Sequence, residues 1–238
     1  MDGKAPAGES GQALTERWQA AQRQEDEFWK RAGVLDGQMQ RVLNRYVDAI
    51  ADLSAQLPQD CAILDVGCGP TCVARLFSVG SKTYIDPLMD SYSATYADRM
   101  PAGELICGTA EAIPRPDESF DVVLSANALD HMMNPDAALV EMRRVLKADG
   151  VFVLILYTHS PLEAVGRGVL ERYVPALRHD AHPYCYIRRS IRKVLERHFI
   201  VREQTPVWLT DKLGLRPIHR EEWLFICEKR SPADADAH

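Results

Sequence analysis

The run Ile63-Leu64-Asp65-Val66-Gly67-Cys68-Gly69-Pro70 constrains this chain more than any other segment. A short, mainly apolar stretch that ends in a Gly pair is the pattern of a buried parallel strand. The glycines leave backbone bare where a ligand can approach, and a helix opening near Thr71 would aim unpaired N–H groups at that ligand. Any α/β nucleotide binder can carry such a turn, so the neighbouring residues decide. A dinucleotide fingerprint wants a third Gly at position 72, where Cys72 stands, and its strand normally ends apolar, whereas this one carries Asp65. Both details disfavour a nicotinamide-dependent oxidoreductase. Asp86, ahead of Pro87 at the end of a second expected strand, offers a carboxylate that can accept hydrogen bonds from both hydroxyls of a ribose.

The surrounding pattern alternates strands with helices. Strands are expected at Cys61–Val66, Lys82–Ile85, Glu104–Cys107, Asp121–Ser125, Val151–Tyr157, Ile200–Val207 and Trp223–Glu228. Between them, helices are expected near Thr71, over Met89–Arg99, from Asn134-Pro135 onward with the stripe Ala138, Met142, Val145 and Leu146, and across most of 160–198. This predicts a doubly wound, Rossmann-like α/β fold with a seven-stranded, mostly parallel sheet and right-handed crossovers. The last two strands lie close together with no obvious helix between them, so one C-terminal strand is expected to run antiparallel. Ahead of the sheet, Leu14–Arg31 reads as a helix carrying Trp18, Phe28 and Trp29. A second helix follows Gly37, with Met39, Val42, Leu43, Tyr46, Val47, Ile50 and Leu53 as its apolar stripe, and Pro58 stops it. Residues 13–57 thus form an N-terminal helical extension to a domain at 58–230 with a helical insert at about 160–198. The Gly-, Pro- and Ala-rich ends, 1–12 and 231–238, are expected to be disordered.

Five blocks in order resemble the class I S-adenosylmethionine-dependent methyltransferases, and among them the ubiquinone/menaquinone-type small-molecule group. They are Leu64–Pro70, Asp86, Gly108-Thr109-Ala110-Glu111-Ala112-Ile113-Pro114, Ser119-Phe120-Asp121-Val122-Val123, and Arg144-Val145-Leu146-Lys147-Ala148-Asp149-Gly150. The resemblance spans roughly residues 45–158. It implies S-adenosyl-L-methionine as cofactor, S-adenosyl-L-homocysteine as product and a small-molecule acceptor methylated by in-line transfer. It also implies roles for single residues: Gly67, Cys68 and Gly69 against the methionine part, Asp65 orienting that loop and helping to hold the amino group, and Asp86 with Pro87 at the ribose. Thr109 and Ala110 would sit at the adenine edge, and Ala126 or Asn127 near the methionine end. Thr71 stands where many members have a third Gly, and Thr109 where many have an Asp; a hydroxyl there accepts a hydrogen bond without charge assistance.

His131, beside Asp130 after the fourth strand, matches a His common in the family and is the candidate general base for an oxygen or nitrogen acceptor. Packing the loop is the competing role for this side chain. His159 has similar access. His179, His182 and Cys185 mimic a metal run but lack a second cluster, so no metal is expected, and His182 is read as lining the cleft or capping the helix near Ile187. Trp18, Phe28, Trp29, Tyr157, Tyr173, Tyr184 and Tyr186 suggest a lid built from the N-terminal helices and residues 160–190, with ordinary core packing as the alternative.

A net charge of −6 without a basic stripe argues against a nucleic-acid partner, and Arg188–Lys193 reads as a solvated helix face. The longest apolar run, Val151–Tyr157, is too short to span a bilayer. Met1–Gly11 lacks a secretory layout, so a cytoplasmic protein with reduced thiols is expected. A homodimer is compatible with the sequence, which contains nothing that sets the assembly. The alternative function is a cofactor-binding regulatory or scaffolding subunit without catalysis of its own.

Overall fold

The computed structural model describes residues 11–164, 166, 184–209 and 220–230. Two helices lead, α1 (Gly11–Trp29) and α2 (Val34–Ser54). The sheet and its covering helices follow as β1 (Ala62–Val66), β2 (Ser81–Asp86), α3 (Met89–Thr95), β3 (Glu104–Cys107), β4 (Phe120–Ala126), α4 (Pro135–Val145), β5 (Leu146–His159), α5 (Arg188–Leu195), β6 (Phe199–Leu209) and β7 (Arg220–Lys229).

All seven strands join one sheet in the order β3-β2-β1-β4-β5-β7-β6. Pairing is parallel from β3 through β5, and β7 lies antiparallel between β5 and β6. The single antiparallel strand expected from the short final connection is therefore β7. Strand order reverses between β1 and β4, and at such a point the loops leaving the carboxyl ends diverge and open a crevice. The expected site residues fall on the loops after β1, β2, β3 and β4.

The core follows from the apolar centres of the strands. Ile63, Leu64 and Val66 of β1, Val122, Val123 and Leu124 of β4, and Phe152 to Leu156 of β5 are buried between helices on both faces. Against one face pack Ala138, Leu139, Met142 and Val145 of α4 with Ile191, Val194 and Leu195 of α5; against the other packs α2. Asn134 caps α4 through its side-chain oxygen, which accepts the Ala137 N–H at 3.2 Å, with Pro135 in the first turn. Asp121 joins the β1 and β5 neighbours of its own strand, accepting from Ala62 N at 2.7 Å and from Lys147 Nζ at 2.8 Å.

Several boundaries depart from the sequence expectations. On α2 the inward line is Leu35, Val42, Tyr46, Ile50 and Leu53, whereas Leu43 and Val47 are each 41% exposed. At 100° per residue, the positions one step beyond the inward line turn to solvent. The helix expected near Thr71 is a single 3-10 turn, Val73–Leu76, because Cys72 adopts a left-handed backbone (φ 47) that breaks the helical path. α1 starts at Gly11, inside the segment expected to be disordered, and α3 is shorter than Met89–Arg99. β5 begins at Leu146, with an irregularity between the Phe120 and Val122 pairings where Lys147–Gly150 turn. Residues 165 and 167–183 of the helical insert expected at 160–198 lie outside the described residues, as do 1–10 and 231–238.

Phe152 on β5 stacks on Phe199 of β6 at 4.5 Å between ring centres, both fully buried. Phe152→Ala is expected to destabilise the fold by about 3–5 kcal/mol, read as a lower urea midpoint at an unchanged slope.

Candidate active site

At the carboxyl ends of the strands lies a cavity of about 880 Å³, large enough for a cofactor and a second small molecule. Gly67, Cys68, Gly69 and Thr71 wall it from the loop after β1, and Asp86 and Pro87 from the end of β2. Thr109, Ala110 and Glu111 contribute after β3, and Ala126, Asn127, Asp130 and His131 after β4. Of the expected cofactor-site and base residues, all but Asp65 face this one space.

The Gly loop is positioned by two buried carboxylates. Gly67 and Gly69 both take positive φ (+66 and +51), and a Cβ on Gly67 would stand 2.5 Å from that of Ala128, so the loop after β4 rests directly on bare backbone. Asp86 accepts Gly69 N–H at 2.9 Å through one oxygen and Leu88 N–H at 2.8 Å through the other. Burial pushes its pKa up to about 6 against those two hydrogen bonds, with Glu25 adding to the rise and His131 opposing it. Asp65 lies beneath the loop, fully buried, and accepts Ala74 N–H at 2.8 Å. It holds the turn through Ala74 and is not among the residues that wall the cavity. Its other oxygen has no protein partner, and burial pushes its pKa up to about 7. With only one 3-10 turn behind the loop, no helix N-terminus feeds the site, a correction to the sequence expectation.

The base candidates separate by their carboxylates. His131 Nε2 is 3.9 Å from Asp130 Oδ2, whereas His159 Nδ1 is 3.1 Å from Glu163 Oε1; both rings line the cavity. Among the lid candidates, Trp18, Phe28, Trp29 and Tyr157 line the cavity, but Tyr184 and Tyr186 are core residues 6.4 Å apart and Tyr173 lies outside the described residues, with His179 and His182. α1 is fastened over the cofactor side: Ser91 donates to Asp26 at 2.5 Å, the Tyr96 hydroxyl to Trp29 O, and Trp29 packs edge-on to Tyr92.

A buried network absent from the sequence expectations closes the other side. Glu222 of β7, fully buried, accepts from the Tyr46 hydroxyl and from Asn127 Nδ2 (2.7 Å) on one oxygen, and from Arg45 Nη1 (2.8 Å) on the other. Asn127, left-handed at φ 51, also takes Tyr157 N–H at 3.1 Å through Oδ1. Its amide is thus engaged by protein, so any cofactor contact there must come from its backbone or from Ala126. The available signal was Arg41, Arg45 and Tyr46 one turn apart on α2, and an acid, Glu222, opening an apolar strand.

Sheet order, the crevice at the strand reversal and the ribose-height carboxylate define a class I, Rossmann-like methyltransferase. A family model described as "Methyltransferase domain" matches residues 64–154. The demethylmenaquinone methyltransferase of Renibacterium salmoninarum is 30% identical over 171 residues, covering 66% of this chain and 67% of that protein. A ubiquinone/menaquinone biosynthesis C-methyltransferase of Bordetella avium is 30% identical over 176 residues, covering 68% and 69%. The solved geranyl diphosphate C-methyltransferase of Streptomyces coelicolor A3(2) shares the fold at a TM-score of 0.61 and 12% identity, covering 84% of this chain and 85% of that one. The chain belongs to the S-adenosylmethionine-dependent methyltransferases of the ubiquinone/menaquinone type, and it is an enzyme with S-adenosylmethionine as cofactor. The non-catalytic alternative is not favoured. The cradle fits the group: left-handed glycine backbone, one buried carboxylate with unused lone pairs, and an acidic wall of Glu25, Asp86, Glu111 and Asp130 suited to a sulfonium.

Asp86 carries a testable sign. Its folded pKa, about 6, lies above the ordinary 3.8, so the folded chain binds more protons than the unfolded one between those values. Its contribution to stability is therefore present at low pH and lost as pH rises towards 6. Hydroxyl donors of a ribose placed here would bind the ionised form, which sets the opposite trend for binding. Calorimetry should show S-adenosylhomocysteine affinity rising by up to about tenfold per pH unit below about 6 and levelling above it. Asp86→Asn should flatten that profile.

Proposed function

We propose that this enzyme methylates a small molecule seated over β5, β7 and β6, beside a cofactor seated over β1, β2 and β3. The carrying observation is one continuous cavity whose wall runs from Gly69 and Asp86 to Tyr157, His159, Trp208 and Arg220. Relatives whose names specify demethylmenaquinone and the ubiquinone/menaquinone pathway support a small acceptor. The net charge of −6 supports a partner other than nucleic acid. Among the described residues no helix is long and apolar enough to cross a membrane. The six cysteines, all of them free thiols, support a reaction in the reducing cytoplasm.

When bound, S-adenosylmethionine supplies an activated methyl group. Gly67, Cys68 and Gly69 hold its methionine part against backbone, Asp86 and Pro87 its ribose, and Thr109 and Ala110 its adenine edge, with Ala126 and the backbone of Asn127 behind the methionine end. Trp29 and the rest of α1 keep water from this half; α1 and α2 together act as the lid. Alignment of two bound reactants in a dry site can supply roughly 7–11 kcal/mol. His131, near enough to Asp86 to influence its charge, takes the acceptor's proton, with Asp130 orienting it.

Transfer of labelled methyl to an acceptor from a metabolite extract tests the assignment; no transfer with any fraction would defeat it. His131→Ala should lower kcat roughly 10²–10⁴-fold and leave S-adenosylhomocysteine affinity unchanged, whereas loss of both would make His131 a packing residue. Deleting residues 1–32 should reduce both turnover and acceptor affinity, and an unaffected truncation would remove the lid role.

A further inference from the structure

Charge divides the cavity. Its wall carries the acids Glu25, Glu27, Asp86, Glu111 and Asp130 and the bases Arg31, which lies over the Phe28 ring of α1, Arg41 and Arg220, the last two on the side away from Asp86. In that second half Glu222 is engaged through both oxygens and Glu163 through one. Both oxygens of Glu222 are taken up by Arg45, Tyr46 and Asn127. Glu163 stands 3.3 Å from Arg220 Nε and 3.1 Å from His159 Nδ1. Arg41 has no ion-pair partner among the described residues, and its Nη1 donates to the Tyr157 hydroxyl at 3.5 Å. That hydroxyl also accepts from Arg45 Nη1 at 2.6 Å. A guanidinium only donates, so the phenol oxygen serves both arginines as acceptor, and its own hydrogen stays available for a third group. No described acceptor takes it. Arg41 and Tyr157 both line the cavity, so a guanidinium and an O–H converge on one place within it. The ring of Trp208, edge-on to Tyr157 at 6.2 Å and 4.4 Å from the Arg45 guanidinium carbon, holds Tyr157 and Arg45 in place.

We propose that the methyl acceptor carries a carboxylate, bound by the Arg41 guanidinium and the Tyr157 hydroxyl. One uncompensated positive charge with one adjacent neutral donor matches a monoanion, whereas a phosphate monoester would leave its second charge without a partner. Arg41 and Tyr157 are specificity residues: they orient the acceptor by its acid group and leave its nucleophile towards the cofactor half. The inference deepens the assignment of the acceptor to this cavity and rests on it.

The test uses the full chain saturated with S-adenosylhomocysteine, titrated by ligand-observed NMR with benzoate and with benzamide, a charged and an uncharged probe of one shape. Benzoate should bind at least about tenfold tighter, with a preference that fades as salt is raised. Arg41→Gln should abolish the preference without changing S-adenosylhomocysteine affinity, and Tyr157→Phe should reduce it several-fold. Equal or absent binding of the two probes, or a preference that survives Arg41→Gln, would overturn the proposal. So would inorganic phosphate that displaces benzoate at lower concentration, or turnover of an uncharged acceptor with a KM indifferent to Arg41→Gln. Failure of S-adenosylhomocysteine itself to bind would instead strike the parent assignment.

Discussion

Everything in the cofactor half is hung on the Asp86 carboxylate. One oxygen holds the Gly loop by the Gly69 N–H, and the other holds the turn into α3 by the Leu88 N–H. A single side chain thereby fixes the ends of two neighbouring strands relative to each other before any ligand arrives, which is preorganisation in its simplest form. The arrangement has an energetic side. A carboxylate 6% exposed is penalised by burial, and the two N–H donors only partly offset this. The site is therefore under electrostatic tension that donor-rich hydroxyls would relieve.

The same logic operates in reverse on the acceptor side. Burying Glu222 completely is costly unless every lone pair is used, and Arg45, Tyr46 and Asn127 use them. Three elements, α2, the loop after β4 and β7, are fastened at that carboxylate. Because Asn127 also belongs to the wall shared with the cofactor half, the two halves of the cavity have a common partition rather than independent pockets.

Much of this was legible in the sequence, and the misses have physical causes. The central strands β1, β4 and β5 were readable because a strand buried on both faces is written as a near-continuous apolar run, and the antiparallel strand because its connection leaves no room for a crossover helix. Asp86 and the glycines were readable because their chemistry is local to a turn. The Val73–Leu76 turn was misjudged as a helix because a left-handed Cys72 is not a residue type that announces positive φ. Asp65 was legible along the chain, but its hold on the Ala74 N–H depends on that turn's geometry. The Glu222 network was invisible because its members lie far apart in sequence, and a single acid at a strand's start reads as solvent-facing. Leu43 and Val47 show the limit of periodicity: an apolar residue adjacent to the buried line extends the stripe on paper and meets water in the fold.

Strand order has a consequence for how the chain is made. β7 follows β6 along the chain yet sits between β5 and β6 and pairs with both. Until it arrives, β5 presents an unpaired, strongly apolar edge, the kind of template on which nascent chains stick to one another. Glu222, which fastens α2, is carried by that same strand. A nascent chain can thus assemble the Gly loop and its carboxylate early, but the opposite wall closes only once β7 has been made. Loss of β7 should cost both solubility and the wall that Glu222 fastens.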